Sequence, residues 1–276
     1  MSRILGKFTI AFTVFLFVIF LGGPLVWLVS MSLKSPIEIL AYEPKLLPNE
    51  IQLGNYQEAL EKSGIIHAFI NSVVISTVST LVICLLVVVP AYVFARSKGI
   101  LTKGMSLWIL ISQVFPLSLL IIPMFLSMQR LNLINSQFGL ILIYVIINIP
   151  FSLWLLRSFV LNIPKELEEA ARIDGATTAY MIRTVILPLL LPGMVVVAIF
   201  TFVNVWNEFF FALVFLSDPE KATLPLKLAQ FLGSEGRGRF GALAAATVMA
   251  IIPALVMFGI IQRKFSDNFL AGAVKG

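Results

Sequence analysis

The sequence predicts an all-α integral membrane protein with six transmembrane helices. Hydrophobic residues make up 59% of the 276 residues and charged residues 12%, about half the charged share of a soluble domain. The mean hydropathy is +0.99. Six apolar stretches each reach the roughly 20 residues that are needed to cross a bilayer core. They cover residues 8–30, 68–95, 105–128, 138–159, 189–216 and 240–261. The first exceeds a signal peptide's apolar region and is expected to remain as a helix.

The basic residues predict how these spans are oriented. With the N-terminus in the cytoplasm, twelve of the twenty Lys and Arg residues fall on the cytoplasmic side. The short turn at 96–103 carries three basic residues and no acidic one, as the positive-inside rule expects. The net charge of +6 therefore belongs to membrane orientation, and we expect no nucleic-acid partner. Six spans return the tail, 264–276, to the cytoplasm.

The same residues limit the chemistry. Cys84 is the only cysteine and His67 the only histidine, so we expect no internal disulfide and no metal site. No nucleophile–base pair is visible, which predicts a non-catalytic chain. The P-loop pattern G-x-x-x-x-G-K-[ST] is also missing, so any ATP must be bound by another subunit. We expect one domain over 1–276, with a core unit at 68–262 and an outer loop at 31–67.

The charged segment between the fourth and fifth spans, 161–188, is predicted to form a cytoplasmic helix. Pro164 suits the first helical turn, and Gly175 suits a left-handed stop, which gives a helix of about eleven residues. Leu167, Ala170 and Ala171 share one side at helical spacing, so that side should be flat and fit a groove of another protein. The alternative is a solvated helix that packs on its own bundle.

A second helix is expected directly after the first. Thr177 or Thr178 can cap it, and it should run into Pro188. The proline and glycine residues in or beside every span are compatible with flexing, although such residues are common in membrane helices.

The segment 161–188 resembles the EAA motif of binding-protein-dependent ABC importer permeases. The matching residues are Glu169-Ala170-Ala171, Gly175 after three further residues, Val185 after nine more, and Leu187-Pro188; the family usually has Ile where this chain has Val185. The wider string 163–176, Trp206-Asn207-Glu208-Phe209 and the ending 271–276 are similar to the second six-span permease subunit of carbohydrate (maltose-type) importers.

The resemblance implies a division of labour between subunits. The helix of the EAA motif would couple the chain to a dimer of cytoplasmic ATPase subunits, which would bind ATP and Mg, while this chain would hold no cofactor. A second related permease would complete a heterodimeric pore in the bacterial or archaeal plasma (inner) membrane. An extracytoplasmic sugar-binding protein would deliver a di- or oligosaccharide. The residues implied in coupling are Glu169, Ala170, Ala171, Arg172, Asp174, Gly175, Leu187 and Pro188.

A translocation path or gate for sugar requires polar side chains within the spans. The candidates are Asn71, Gln113, Asn148, Asn204, Asn207 and Glu208. Amide side chains can donate and accept hydrogen bonds, which suits hydroxyl-rich ligands; the alternative is bonding between spans. Asn204 and Glu208 are expected one turn apart, with Glu208 in the outer third, where a gate or a binding-protein contact is favoured. An ion-driven secondary transporter or channel without an ATPase is the alternative function. The sequence does not identify the sugar.

Overall fold

The computed structural model describes residues 2–62, 64–233 and 239–273, and these residues are almost entirely helical. The α-helices are α1 Ser2–Ser32, α2 Pro36–Ile39, α3 Gly54–Lys62, α4 Ile65–Arg96, α5 Ile100–Val114, α6 Ile121–Arg130, α7 Gln137–Leu161, α8 Lys165–Ile173, α9 Thr178–Met181, α10 Leu187–Trp206, α11 Phe210–Phe215, α12 Leu224–Ala229 and α13 Phe240–Ala273. Short 3-10 turns cover Leu117–Leu120 and Gln230–Leu232, and a π-helical turn covers Ile182–Ile186. The prediction of an all-α fold is confirmed.

Four described helices are long and apolar enough to cross a membrane. They are Thr9–Ser32, Ile65–Arg96, Gln137–Leu161 and Thr178–Trp206. The predicted first, second and fourth spans are therefore confirmed to within a few residues. Phe240–Val256, within the predicted sixth span, is a shorter apolar helix.

The predicted third span, 105–128, is sharply bent near its middle. Thr102–Val114 and Leu117–Arg130 meet at an angle of 95°. The cause is Pro116, because a residue that precedes proline is pushed out of the helical region. Phe115 accordingly has extended backbone angles of −70° and 127°. This pair forms either a broken span or a re-entrant loop.

The predicted fifth span was wrong at both ends. The helix is continuous from Thr178. Pro188 has no N–H to donate, and the chain accommodates it with a π-helical turn in which the N–H of Leu187 bonds the carbonyl of Ile182, five residues back. At the other end the helix stops at Trp206, and α11 begins anew at Phe210. Asn204 thus lies in the last turn of α10 and Glu208 in the break that follows, so the prediction that they are one turn apart on one helix was wrong.

The chain divides into two compact units. One takes the chain up to Phe69 with Leu226–Val256, and the other takes Ile70–Pro225 with the chain from Met257 onward. In the first unit, buried Asn55 donates to the carbonyls of Ser32 (3.0 Å) and Lys34 (2.8 Å), and Arg239 pairs with Glu58 at 3.2 Å. These bonds join the segment after α1 to α3 and to the start of α13.

The second unit is built around α4, α7 and α10. Its core contains Ile83, Val87, Leu153, Leu156 and Val197, all buried, with Met181 and Ile186 completing it near the 161–188 segment. Phe151 of α7 stacks on Phe200 of α10 with ring centroids 4.1 Å apart. The EAA segment, residues 161–188, lies at one end of this packed core.

Candidate functional site

Helix α8 is defined at both ends by local sequence signals. Glu166 and Glu168 lie in its first turn, where negative charge is favoured by the helix dipole. Its last turn closes as a Schellman motif: the N–H of Gly175 bonds the carbonyl of Arg172 (3.0 Å), and that of Ala176 bonds the carbonyl of Ala171 (2.9 Å). Gly175 has φ +80°, as predicted. The helix proper has nine residues rather than eleven, because Pro164 is its cap and not its first helical residue.

One side of α8 is attached to the protein by a buried charged cluster. The Glu168 side chain is only 8% exposed. Its Oε1 accepts from Nε of Arg96 at 2.6 Å, and its Oε2 accepts from the Tyr92 hydroxyl at 2.9 Å. Arg96 also donates from Nη2 to the carbonyl of Ile163 at 2.8 Å. Residues of α4, α8 and the linker before α8 are therefore joined through one guanidinium group.

The opposite side of α8 is exposed and partly apolar. Leu167 is 43% exposed and Ile173 is 86% exposed, and Ala170 lies between them on the open surface. Ala171 is only partly exposed and packs against the core. The prediction that Leu167, Ala170 and Ala171 form one free flat side was wrong for Ala171, because the face that carries buried Glu168 includes it.

The second half of the EAA segment, from Thr177 onward, has a capped helix start and two fully buried side chains. The Thr177 hydroxyl accepts from the N–H of Tyr180 at 3.4 Å, as predicted for a cap. Met181 and Ile186 are fully buried, whereas Tyr180 is 61% exposed. The exposed apolar surface therefore continues from α8 onto α9.

The predicted coupling residues divide by exposure. Ala171 and Leu187 are partly buried and pack against the core. The others lie on the exposed surface of the EAA segment: Glu169, Ala170, Arg172, Asp174, Gly175 and Pro188. All eight come together in one segment, as their spacing requires.

The predicted path residues do not form one cluster. Asn71 donates to the carbonyls of Glu220 (2.8 Å) and Ala222 (3.0 Å), which ties the segment after α11 to α4. Asn148 and Asn207 each donate at 2.8 Å to a carbonyl four residues back in their own helix. These three amides make bonds inside the chain. Gln113 and Asn204 have exposed side chains on α5 and α10.

Glu208 supports the break between α10 and α11. Its carboxylate accepts from the backbone N–H groups of Phe211 (2.9 Å) and Ala212 (3.2 Å) and from the Tyr144 hydroxyl (2.7 Å). Backbone donors released by a break in a membrane helix must find such partners. The carboxylate thus caps α11 and attaches it to α7.

Two structural contributors were missed by the sequence reasoning. Glu168 was not singled out, because its burial depends on Arg96, which is 72 residues away in sequence. Asn135 gave no signal: its side-chain oxygen accepts from the N–H groups of Ser217 (3.2 Å) and Asp218 (3.1 Å). Among the described residues, no group of three or more His, Cys, Asp or Glu side chains could hold a metal ion.

Comparisons with known proteins point in one direction. Residues 64–267 match the model of the family described as "Binding-protein-dependent transport system inner membrane component". The putative ABC transporter permease protein ORF1 of Streptomyces antibioticus is 42% identical over 229 residues, which is 83% of this chain and 100% of that protein. The diacetylchitobiose uptake system permease protein DasC of Streptomyces coelicolor is 32% identical, over 94% of each chain.

A solved structure has the same fold. It belongs to a bacterial ABC transporter involved in the import of the acidic polysaccharide alginate. The TM-score is 0.79 at 24% sequence identity, and the match covers 96% of this chain and 97% of that one. This likeness shows the same fold over almost the full length of both chains.

Proposed function

The chain belongs to the family of inner membrane components of binding-protein-dependent transport systems, and from that premise we propose that it is a non-catalytic permease subunit of an ABC importer for a carbohydrate. The observation that carries the proposal is the two-sided character of α8. Its inner side is held by the buried Glu168 carboxylate, while Leu167 and Ile173 expose apolar surface on the outer side. A short anchored helix with an apolar outer face suits insertion into a groove of a partner.

The partner on this face is proposed to be a cytoplasmic ATPase dimer that binds ATP and Mg. The sequence contains no P-loop of its own, so energy for transport has to enter through such a contact. Glu169, Ala170, Arg172, Asp174 and Gly175 would line the contact. Pro188 is exposed too and would lie beside the contact, while Ala171 and Leu187 would support it from the side of the core.

The proposed substrate is a di- or oligosaccharide. DasC, 32% identical, is named for the uptake of diacetylchitobiose, which supports this class. Exposed amides are costly against lipid, so the exposed positions of Gln113 and Asn204 favour a path or an interface with a second, related permease. Asn71, Asn148, Asn207 and Glu208 would shape that path indirectly, through the bonds that they make within the chain. A sugar-binding protein would deliver the substrate from outside.

The proposed location is the plasma (inner) membrane of a bacterium or archaeon, with both termini in the cytoplasm. This orientation places the EAA segment and the basic turn 96–103 on the same side as ATP. We propose that residues 1–276 act as one permease domain with a core unit at 68–262, although the core unit takes residues from both compact units. Labelling of a cysteine introduced at Asp174 with a membrane-impermeant thiol reagent in intact cells tests the orientation: no labelling is expected until the cells are opened.

The coupling contact is tested by purifying the affinity-tagged chain from its native membrane and measuring how much ATPase subunit is recovered with it. Ile173→Glu should abolish recovery of the ATPase, because it places a charge at the most exposed apolar side chain of α8. Ile100→Glu is the matched control, since Ile100 is also 86% exposed. Equal recovery from both variants would contradict the assignment of the face.

Transport is tested with inside-out and right-side-out membrane vesicles. Sugar uptake by right-side-out vesicles should require ATP in the lumen and should persist when ion gradients are collapsed. Uptake that follows the ion gradient and ignores ATP would instead identify a secondary transporter.

A further inference from the structure

The charged cluster on the inner side of α8 consists of Tyr92, Arg96 and Glu168 and is called here the α4–α8 clamp. Both charged side chains are withdrawn from solvent, with 13% of Arg96 and 8% of Glu168 exposed. The carboxylate uses both oxygens, at 2.6 Å to Arg96 and 2.9 Å to Tyr92. Tyr92 and Arg96 are separated by one helical turn near the end of α4, so one face of α4 holds Glu168 of α8. The Tyr92 hydroxyl also interacts with Arg172 of α8.

A buried ion pair adds little net stability to a fold, because the cost of desolvating both charges offsets much of their attraction. The pair restricts geometry instead, because the hydrogen bonds among Glu168, Arg96 and Tyr92 require a defined position of α8 against α4. An apolar contact at the same place is not directional and would allow α8 to shift along α4. The clamp therefore fixes the distance and angle between α4 and α8.

The linker before α8 is fixed by the same guanidinium. Helix α7 ends at Leu161, and α8 begins at Lys165. The carbonyl of Ile163, in between, accepts from Arg96 Nη2 at 2.8 Å. A hinge at residues 162–164 would have to break this bond, so α8 cannot swing on its linker while the clamp is closed.

Few other contacts could hold α8. It has nine residues, which is below the 12–15 or so at which an isolated helix becomes stable in water. Of its apolar side chains, Ala171 packs on the core, whereas Leu167 and Ile173 are exposed. Among the described residues, the clamp supplies the buried ion pair that attaches α8 to α4.

We propose that the α4–α8 clamp is the element that transmits displacement of the EAA helix into α4, with Tyr92, Arg96 and Glu168 as positioning residues for coupling. The inference rests on the proposed function, since it presupposes an ATPase that moves α8. With the clamp closed, α8, the linker and α4 move as one body, and α4 carries the movement along the 32 residues of Ile65–Arg96. With the clamp open, α8 follows the ATPase but α4 does not.

The test compares sugar uptake with ATP hydrolysis in proteoliposomes that contain the whole importer with its binding protein. Glu168→Gln and Arg96→Gln should leave the ATPase subunits bound and hydrolysing ATP, but lower the sugar imported per ATP about tenfold, within the 5–150-fold range of coupling effects. Arg96→Lys should give an intermediate ratio, because a lysine can pair with Glu168 but cannot also hold Ile163. Lys98→Gln removes an exposed charge two residues away and should leave the ratio unchanged.

A covalent rescue separates coupling from folding. In a Cys84→Ala background, Arg96→Cys and Glu168→Cys are introduced together and joined by a short bifunctional thiol reagent. Joining them should restore the sugar imported per ATP, and the unjoined protein should stay uncoupled. If Glu168→Gln does not accumulate in the membrane, Tyr92→Phe, which removes one hydroxyl, carries the same test with a smaller expected loss.

The outcomes separate the two proposals. If the unmodified chain neither binds an ATPase nor imports sugar, the proposed function fails. If it does both, an unchanged ratio in the clamp variants overturns the inference. Loss of ATPase binding and uptake in parallel, without rescue by the crosslink, also overturns it and leaves the cluster a structural support only.

Discussion

Helices α7 and α10 approach each other so closely at Gly193 that a single added methyl group should be measurable. A Cβ atom built on Gly193 would lie 2.5 Å from Cγ of Phe159 and 2.9 Å from its Cβ and Cδ1. These atoms are the stem of the phenylalanine, which cannot swing away as the tip of a flexible chain can. Gly193→Ala therefore forces either the ring into another rotamer or the two helices apart.

The magnitude follows from two opposing effects. Overpacking of a well-packed core costs about 1–3 kcal/mol. Replacing glycine by alanine inside a helix returns about 0.5–1 kcal/mol through backbone entropy. The net loss should be about 0–2.5 kcal/mol. At about 2–4 °C per kcal/mol for a chain near this size, the Tm should fall by up to about 10 °C.

The assay is thermal unfolding of the purified chain in one detergent, with Gly104→Ala as the control. Gly104 lies inside α5, and an added Cβ there meets no described atom within 4 Å, so that variant should match or exceed the wild-type Tm. Combining Gly193→Ala with Phe159→Ala should cost less than the sum of the two, since the new methyl group then fills a gap. A Tm for Gly193→Ala at or above that of Gly104→Ala would refute the reasoning.

Three further changes test other local features. Gly175→Asn should preserve sugar uptake and Gly175→Val should reduce it, because a β-branched residue resists φ +80°, at about 1–2 kcal/mol, although no described atom blocks a Cβ there; uptake by vesicles measures this. Glu208→Ala should lower the Tm more than Glu208→Gln, since it leaves the Tyr144 hydroxyl and two backbone N–H groups without their acceptor, at about 1–3 kcal/mol for each buried group. The pKa of Glu38 lies below its ordinary value of 4.5 because backbone N–H groups donate to its carboxylate; the N–H of Asn49 has the largest effect and that of Ser35 the next. The Glu38 carboxylate therefore stabilises its loop fully above pH 4.5, and this stabilisation is lost as the pH falls through the lowered pKa. Hydrogen exchange at the Asn49 amide should rise over that pH range in the wild type and should show no such step in Glu38→Gln.

Features set by neighbouring residues in sequence could be predicted. The stop of α8 depends on Gly175 and the cap of α9 on Thr177, and both were correct because these signals act over three or four residues. Long apolar runs likewise located the first, second and fourth spans. The bend at Pro116 has a local cause too, but proline is common in membrane helices, so its presence alone could not distinguish a broken helix from a kinked one.

Features that need distant partners could not be predicted. The end of α10 at Trp206 is possible because Glu208 meets Tyr144, which is 64 residues away in sequence. Burial of Glu168 depends on Arg96, which is 72 residues away. Neither pairing has a periodic or spacing signal, and a charged residue in a polar loop is ordinarily solvated.

The position of α8 depends on contacts at both ends of its linker. On one side, Phe159 is seated against Gly193 of α10, and the last turn of α7 continues through the bond from the N–H of Ile163 to the carbonyl of Val160, at 3.1 Å. On the other side, Arg96 of α4 holds the carbonyl of Ile163. On the proposed mechanism, a displacement of α8 would act on α4 through the clamp, on α7 through the linker before α8, and on the Thr178–Trp206 helix through the short turn after α8. Because Gly193→Ala changes packing without breaking a polar bond, it should lower stability with little effect on the sugar imported per ATP. Glu168→Gln leaves the buried Arg96 charge unpaired, so it should lower stability as well, but it should also lower the sugar imported per ATP. If both variants lose stability and sugar imported per ATP in the same proportion, stability and coupling share one cause at this end of the unit.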